Sequence, residues 1–345
     1  MKGKLWKMIA ALLAAGTALD ASAAAGTGAD GHLRAVSDVQ FSSASTLPAA
    51  QDTLLLMFWN CENFFDYTDS GGSASDWEFS SAGSRHWTAK RFYAKCNLFA
   101  KSVFYIAERE GRLPDAIGLA EIENDFVLKR LLSSTLLRKL DYRFIHYESP
   151  DHRGIDCALL YRSSRLTPLF SKPCHIDTLA TRDILLAGFM TPAGDSLSIL
   201  VNHHPSKYGG DASEGLRVLA MNRLRFLSDS LELAGWRRRV AVGDFNEQPP
   251  NPVFELLPPS LELICPPPDA FQGSIRFNGQ WQLIDLAFVS PVLRQLVCFR
   301  PFPLPFLLEK DSAHSGLKPL RTYTGPRWKG GFSDHLPVLI TVTLP

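Results

Sequence analysis

Short apolar runs of strand length recur along this chain from residue 53 to its end, and longer amphipathic stretches lie between some of them. The runs are Thr53–Trp59, Ala116–Ala120, Cys157–Tyr161, Leu197–Asn202, Val240–Val242, Leu283–Val289 and Val338–Thr343. They are too short for buried helices and read as buried strands. Ala89–Arg109 and Glu214–Leu233 instead carry apolar residues at helical spacing. In the first, Phe92, Leu98, Phe99, Val103 and Ile106 roughly share one face, with charges opposite. Strands alternating with helices predict an α/β fold. Proline clusters at 249–252, 258–259 and 266–268 mark long connections within it, because strand-like segments resume on both sides. One α/β domain is expected over residues 51–345, behind a flexible leader at 25–50 rich in Ala, Ser, Gly and Asp.

The first residues read differently. Lys2, Lys4 and Lys7 precede an apolar run from Met8 to Leu19, and Ala21-Ser22-Ala23 offers a small-x-small cleavage site. This layout predicts a secretory signal peptide over residues 1–24 and a secreted or periplasmic protein. The apolar run is short for a bilayer span, so no stable membrane anchor is expected. Cleavage would remove three lysines and one aspartate, taking the formal charge from +1 to −1. Near neutrality argues against a strongly basic nucleic-acid surface, but is compatible with an enzyme that handles phosphate through a metal and a few arginines. The six cysteines show no metal-ligand spacing. Cys61 and Cys157 lie in apolar runs and are expected as buried thiols.

Polar residues able to hold a metal or a proton cluster where the runs end. They are Asn60 and Glu62, Glu121, Asn202 and His203, Asp244 and Asn246, and Asp285. Strand ends are where a rigid element aims a side chain into a cleft. The period of two places Asn60 with Glu62 on one face, and Glu121 with Glu123 on another. Carboxylate and amide oxygens suit magnesium or calcium better than zinc. Each pair alone would pass for a capped turn or a solvated strand end; their repetition argues for a site. Asp334 and His335 stand just before the last run, where a carboxylate can hold the imidazole in one tautomer. Arg153 could fork onto phosphate oxygens or pair with Asp151 or Asp156. Trp87, Lys90 and Arg91 read as a helix start with a basic face or as an anion cradle. Arg237–Arg239 are expected as solvated surface.

Taken in order, the motifs are WNCENFFD at 59–66, LAEIEN at 119–124, DHRGIDCALLYR at 151–162 and VNHHPS at 201–206. GDFNEQP at 243–249, LIDLAFVS at 283–290 and GGFSDHLPV at 330–338 complete the set. The chain resembles the endonuclease/exonuclease/phosphatase superfamily over about residues 53–343, with GDFN and SDHLPV the most specific segments. His204 departs from the resemblance, standing where Trp is expected.

The resemblance implies a four-layered α/β sandwich, two mixed β-sheets packed face to face with helices on the outside. It implies that Glu121 binds a divalent cation, Mg2+ with Mn2+ or Ca2+ as alternatives, helped by Asn60 and Glu62, with Glu123 as a rival. Asp334 would be a metal-proximal carboxylate. Asp244 would orient or deprotonate the attacking water and Asn246 would hold a phosphate oxygen. His335, fixed by Asp285, and His203 would contact the scissile phosphate, with Arg153 and Asn202 binding substrate. In-line attack needs an activated water, charge neutralisation on the non-bridging oxygens and a stabilised leaving group. The expected function is metal-dependent hydrolysis of a phosphodiester or phosphomonoester by a monomer. A secreted nuclease acting on DNA or RNA comes first. A phosphatase or phosphodiesterase acting on a small molecule or lipid head group comes second. A non-catalytic module comes last, because a decayed site usually loses its costly buried charges.

Overall fold

The computed structural model describes residues 53–69, 71–207 and 211–344; the expected signal peptide and leader lie outside them. Along the chain the first strands are β1 (Thr53–Phe64), β2 (Ala116–Ile122), β3 (Tyr142–His146), β4 (Asp156–Arg162), β5 (Thr167–Cys174) and β6 (Ile184–Met190). Next come β7 (Ser196–His203), β8 (Arg238–Asp244), β9 (Glu262–Ile264), the hairpin β10 (Ile275–Phe277) with β11 (Gln280–Gln282), and β12 (Asp285–Val289). The series ends with β13 (Val297–Pro301), β14 (Leu308–Lys310), β15 (Leu317–Pro319), β16 (Tyr323–Thr324), β17 (Arg327–Trp328) and β18 (Val338–Thr343). The helices are α1 (Ala74–Glu78), α2 (Ala89–Glu110), α3 (Asp125–Ser134) and α4 (Asp211–Leu233).

Two six-stranded sheets form, ordered β13-β18-β1-β2-β4-β3 and β5-β6-β7-β8-β12-β9. Each is mixed, because β1 runs parallel to β2 and β7 parallel to β8 while the other pairs are antiparallel. Strand alternation explains the layering. Leu54, Leu56 and Phe58 of β1 join a core with Ile199 and Val201 of β7, Val240 and Val242 of β8, and Ile340 of β18, between the sheets. Leu55, Met57 and Trp59 face the other way, into a core with Phe92, Phe99, Val103 and Ile106 of α2. A third core packs Leu200, Ala241 and Phe288 of the second sheet against Met221, Leu224 and Leu227 of α4. These three apolar interfaces make the four layers, helix–sheet–sheet–helix, that the resemblance implied.

The two long helices lie where the periodicity placed them. α2 starts at Thr88, whose side chain accepts from the Arg91 amide, and ends at Gly111, whose left-handed φ of 68° a side chain would resist. Its buried stripe recurs every three or four residues, and truncating one member, as in Phe99→Ala, should cost about 3–5 kcal/mol. The proline-rich segment after β13 covers this helix: Phe302 and Phe306 pack edge-on against Tyr105. Cys61 and Cys157 are buried, and burial pushes both thiols up.

One surface assignment is corrected. Arg239 is fully buried and donates to Ser228 Oγ, the Trp236 carbonyl and Glu232. It is the second residue of β8 and faces the α4 layer, whose polar partners neutralise it. Arg237 alone is exposed as expected. At the helix start before α2, Arg91 is spent on the carbonyls of Arg85 and His86, and Trp87 is buried. That segment is a helix entry. No helix among the described residues is long and apolar enough to cross a membrane.

Candidate active site

One end of the sandwich gathers the C-terminal ends of β1, β2, β7 and β8 and the starts of β4, β12 and β18. On the second-sheet side the strand ladder is regular, and it sets the geometry directly. His203 pairs with Asp244 across β7 and β8, and Asp244 with Asp285 across β8 and β12. Asp285 therefore opens its strand, where the sequence had placed it at the end of a run. Antiparallel pairing brings it beside Asp244 all the same. A Cβ on Gly243 would lie 2.1 Å from the Asn202 carbonyl oxygen, so this close approach of β7 and β8 requires glycine.

Asp285 Oδ2 lies 2.7 Å from His335 Nδ1, and His335 Nε2 lies 3.8 Å from Asp244 Oδ2. All three side chains are buried. Burial works against a charged imidazole, but the Asp285 carboxylate and its hydrogen bond, then Asp244 and Asp334, hold His335 well above its ordinary range. Burial pushes the Asp244 carboxyl up to about 7; the Asp285 charge adds to this, while His335, the Asn246 amide and Asn60 oppose it. A carboxylate that gains its charge near neutrality, facing a held imidazolium, suits proton transfer. His203 Nε2 sits 3.8 Å from both Asp244 Oδ2 and Glu121 Oε1. Burial, then the charges of Arg182, Arg153 and His335, hold it well below its ordinary range, hence neutral.

On the first-sheet side the ladder breaks. Between the pairs Asn60–Ala120 and Phe64–Ile122, the residues Cys61, Glu62 and Asn63 stand opposite Glu121 alone. Glu121 is also the extra residue against β4. Glu62, Asn63 and Glu121 have left-handed φ values of 48°, 55° and 62°. Such backbone costs on the order of 1–3 kcal/mol per residue, and it clusters at functional sites. The bulge breaks the expected alternation in both strands. Glu121 turns into the cleft: its Oε2 accepts from the Asn63 amide at 2.7 Å and its Oε1 lies 3.4 Å from Asn60 Nδ2. Glu123 turns away and accepts from the Asp66 amide at 2.7 Å. Burial pushes its carboxyl up to about 9. Glu62 also leaves the cleft pair, accepting from Arg321 Nε at 2.8 Å and the Thr322 amide at 2.9 Å.

Asn60 sits between the two halves. Its Oδ1 accepts from the Glu62 amide at 2.9 Å, so its Nδ2 faces Asp244 Oδ2 at 3.0 Å and Glu121. Direct metal ligation by this side chain would require the amide to turn over. Asp334, partly exposed, is paired with Arg321 at 3.0 Å and lies 4.0 Å from His335 Nε2. Arg153 is paired with neither Asp151 nor Asp156. Its guanidinium donates to Asn63 Oδ1 at 2.7 Å and lies 3.7 Å from Glu121 Oε2. Asn246, with a left-handed φ of 50°, is half-buried and donates to the His204 carbonyl at 3.0 Å. Asn202 is not in the cleft. It is fully buried and donates to the Leu200 carbonyl at 2.9 Å, on the α4 side of β7. The alternation that aims His203 inward necessarily aims Asn202 outward.

The donor set fits a hard divalent cation. Glu121 and Asp244 are buried carboxylates that both flank His203 Nε2, and hard carboxylate oxygens are the donors such a cation takes. Several supporting residues escaped the sequence reading. Asn63 binds Glu121 and Arg153 at once, Ser333 ties the Asn60 carbonyl to the His335 amide, and buried Lys95 donates to the Glu62 carbonyl. Asn63 stands inside the WNCENFFD segment, but its left-handed backbone has no signature in the apolar pattern.

A family model described as Endonuclease/Exonuclease/phosphatase family matches residues 55–344. Among solved structures, the chain is similar to an endonuclease/exonuclease/phosphatase family protein from Bacteroides thetaiotaomicron, at 16% identity and a TM-score of 0.56, covering 85% of this chain and 98% of that one. A mannosyl-6-phosphatase from the same organism aligns at 17% identity and 0.53, covering 83% and 98%. The human nocturnin catalytic domain aligns at 17% and 0.52, covering 84% and 93%. At these identities the structures speak for the fold alone. A search of curated protein sequences finds no match. With the family model spanning nearly the whole described sandwich, the chain belongs to the endonuclease/exonuclease/phosphatase family.

Proposed function

We propose that this chain hydrolyses phosphate esters with the help of a divalent cation. The observation that carries the reading is the buried Asp285–His335 hydrogen bond, with His335 Nε2 3.8 Å from Asp244, and Asn60 and His203 linking Asp244 to Glu121. Asp244 is placed to orient a water and accept its proton. His335, kept protonated through Nδ1 by Asp285, is placed to donate from Nε2 to a phosphoryl oxygen. Arg153 can add a fork of donors from the first-sheet wall. Magnesium or manganese, held by Glu121 beside Asp244, would neutralise charge on the non-bridging oxygens.

For the substrate we favour a compact phosphate ester. Arg153 apart, nearby cations are engaged, Arg321 by Glu62 and Asp334 and Lys207 by Glu247, which disfavours a duplex that must be gripped through its backbone. A nuclease acting on single strands is the second reading. It is favoured by Phe277, 60% exposed on the hairpin whose Ile275 bridges to His335, since exposed rings can stack bases. The test is hydrolysis of a panel of a bis-aryl phosphodiester, sugar and inositol phosphates, sphingomyelin, single-stranded DNA, RNA and plasmid, with magnesium and with EDTA. Full activity in excess EDTA, with no tightly held metal by elemental analysis, would contradict the mechanism. Export is proposed on the N-terminal segment alone: mass spectrometry should find a mature terminus near Ala24, and recovery of intact residues 1–19 would contradict it.

A further inference from the structure

The cleft is framed by two pieces of chain from different sheets. On the first-sheet wall, Asp151 opens the turn that presents Arg153. Its Oδ1 accepts from the Arg153 amide at 2.9 Å and its carbonyl accepts from Gly154 at 3.0 Å. On the second-sheet wall, the His204 carbonyl accepts from Asn246 Nδ2 at 3.0 Å, and the His204 amide donates to the Asp244 carbonyl at 2.8 Å. Arg182, in the connection between β5 and β6, joins the two. Its Nη1 donates to Asp151 Oδ2 at 3.0 Å and its Nη2 donates to the His204 carbonyl at 2.8 Å. Its side chain is 7% exposed and that of Asp151 1%.

We propose that Arg182 is a positioning residue: it fixes the separation between Arg153 on one wall and His203 and Asn246 on the other, and so sets the affinity of the cleft for a phosphoryl group. The proposal rests on the phosphoesterase reading. A planar guanidinium suits this task, because its rigid fork serves two acceptors at a set angle, whereas an ammonium is a compact point charge. The plain alternative is a buried salt bridge that serves stability only. The two differ in a measurable way. Arg182 bonds to neither Glu121 nor the Asn63 amide and Asn60 that hold it, so a positioning role should cost phosphate affinity far more than metal affinity.

The experiment uses the purified full chain, with inorganic phosphate and Mn2+ as calorimetric probes and a bis-aryl phosphodiester for kinetics. In Arg182→Lys, phosphate affinity and kcat/KM should fall by about 10- to 100-fold, the scale set by misplacing a contact by about 1 Å, while Mn2+ affinity changes by less than about threefold. A second variant guards against a merely unstable protein. Arg182→Met with Asp151→Asn removes both buried charges, and the asparagine can still accept from the Arg153 amide. This pair should regain thermal stability relative to Arg182→Met alone, yet keep the low phosphate affinity. Phosphate binding that recovers together with stability would overturn the proposal, as would wild-type phosphate affinity in Arg182→Lys or a parallel loss of Mn2+ binding. An active wild type beside an unaffected Arg182→Lys removes this inference alone. A wild type that neither binds phosphate nor hydrolyses any ester removes the phosphoesterase reading and this inference with it.

Discussion

The two halves of the cleft are built in opposite ways. On the second sheet, His203, Asp244 and Asp285 sit in an unbroken ladder, residue opposite residue. On the first, β1 and β2 both bulge, and Glu62, Asn63 and Glu121 take left-handed backbone. A regular ladder lets the alternation of a strand say where each side chain points. A bulge re-aims one side chain and undoes that inference for its neighbours. The second half therefore brings His203, Asp244 and Asp285 together, and the first half turns Glu121 into the site and Glu62 and Glu123 away from it.

Four experiments can break or sharpen this contrast. The largest effect should come from Asp244→Asn, which removes the proposed proton acceptor of the regular half with little change in shape. Turnover should fall by on the order of 10²–10⁴-fold, and thermal melting should show the variant still folded. Glu121→Gln strikes the bulged half. It should weaken Mn2+ affinity by about 10- to 100-fold, read by calorimetry, while leaving turnover at saturating metal within a few-fold of wild type.

The third is a pH profile of kcat/KM. In the proposed mechanism Asp244 acts when charged, and its carboxyl is pushed up to about 7, so activity should rise with pH through that region. A bound cation favours the carboxylate and should move this limb lower, so the limb should shift as metal concentration is varied. His335 must keep its proton, and with its pKa held well above the ordinary value, the alkaline fall should lie above the range of a free histidine. Asp285→Asn should bring that fall to lower pH.

The smallest effects should come from Glu62→Gln and Glu123→Gln. Both carboxylates turn out of the cleft toward Thr322 and Asp66, so Mn2+ affinity should change less than about threefold. Glu62→Gln should lower stability by about 1 kcal/mol through the weakened bond to Arg321, measured by denaturation, whereas Glu123→Gln should leave stability near the wild-type value, because a carboxyl pushed up to about 9 is already neutral near pH 7. A Glu123 variant with the larger loss of metal affinity would reverse the assignment drawn from the bulge.

These particulars show what the chain makes legible and what it hides. The layers follow from alternation along strands such as Leu54–Trp59 and from the helical stripe of α2, both of which can be counted in one dimension. The GDFN and SDHLPV segments place Asp244 and His335 because the strands around them are regular. Asp285 came out beside them for a reason the chain does not display, the antiparallel pairing of β12 with β8. Glu62 and Glu123 turn away from Glu121, and Asn202 faces α4, because bulges and the facing of a strand end depend on partners distant in sequence. Arg239, read as surface, is buried by α4, and Arg182 gains its role only when two sheets meet.

The account's central claim is a division of labour across the cleft, with the metal on the bulged wall and the proton on the regular one. The most direct test is a manganese titration of turnover for Asp244→Asn and Glu121→Gln beside wild type, on one active substrate. Glu121→Gln should climb toward wild-type turnover as metal rises, and Asp244→Asn should stay low at every concentration, because an amide cannot take the water's proton. Rescue of Asp244→Asn by metal, with Glu121→Gln left inactive, would contradict the claim.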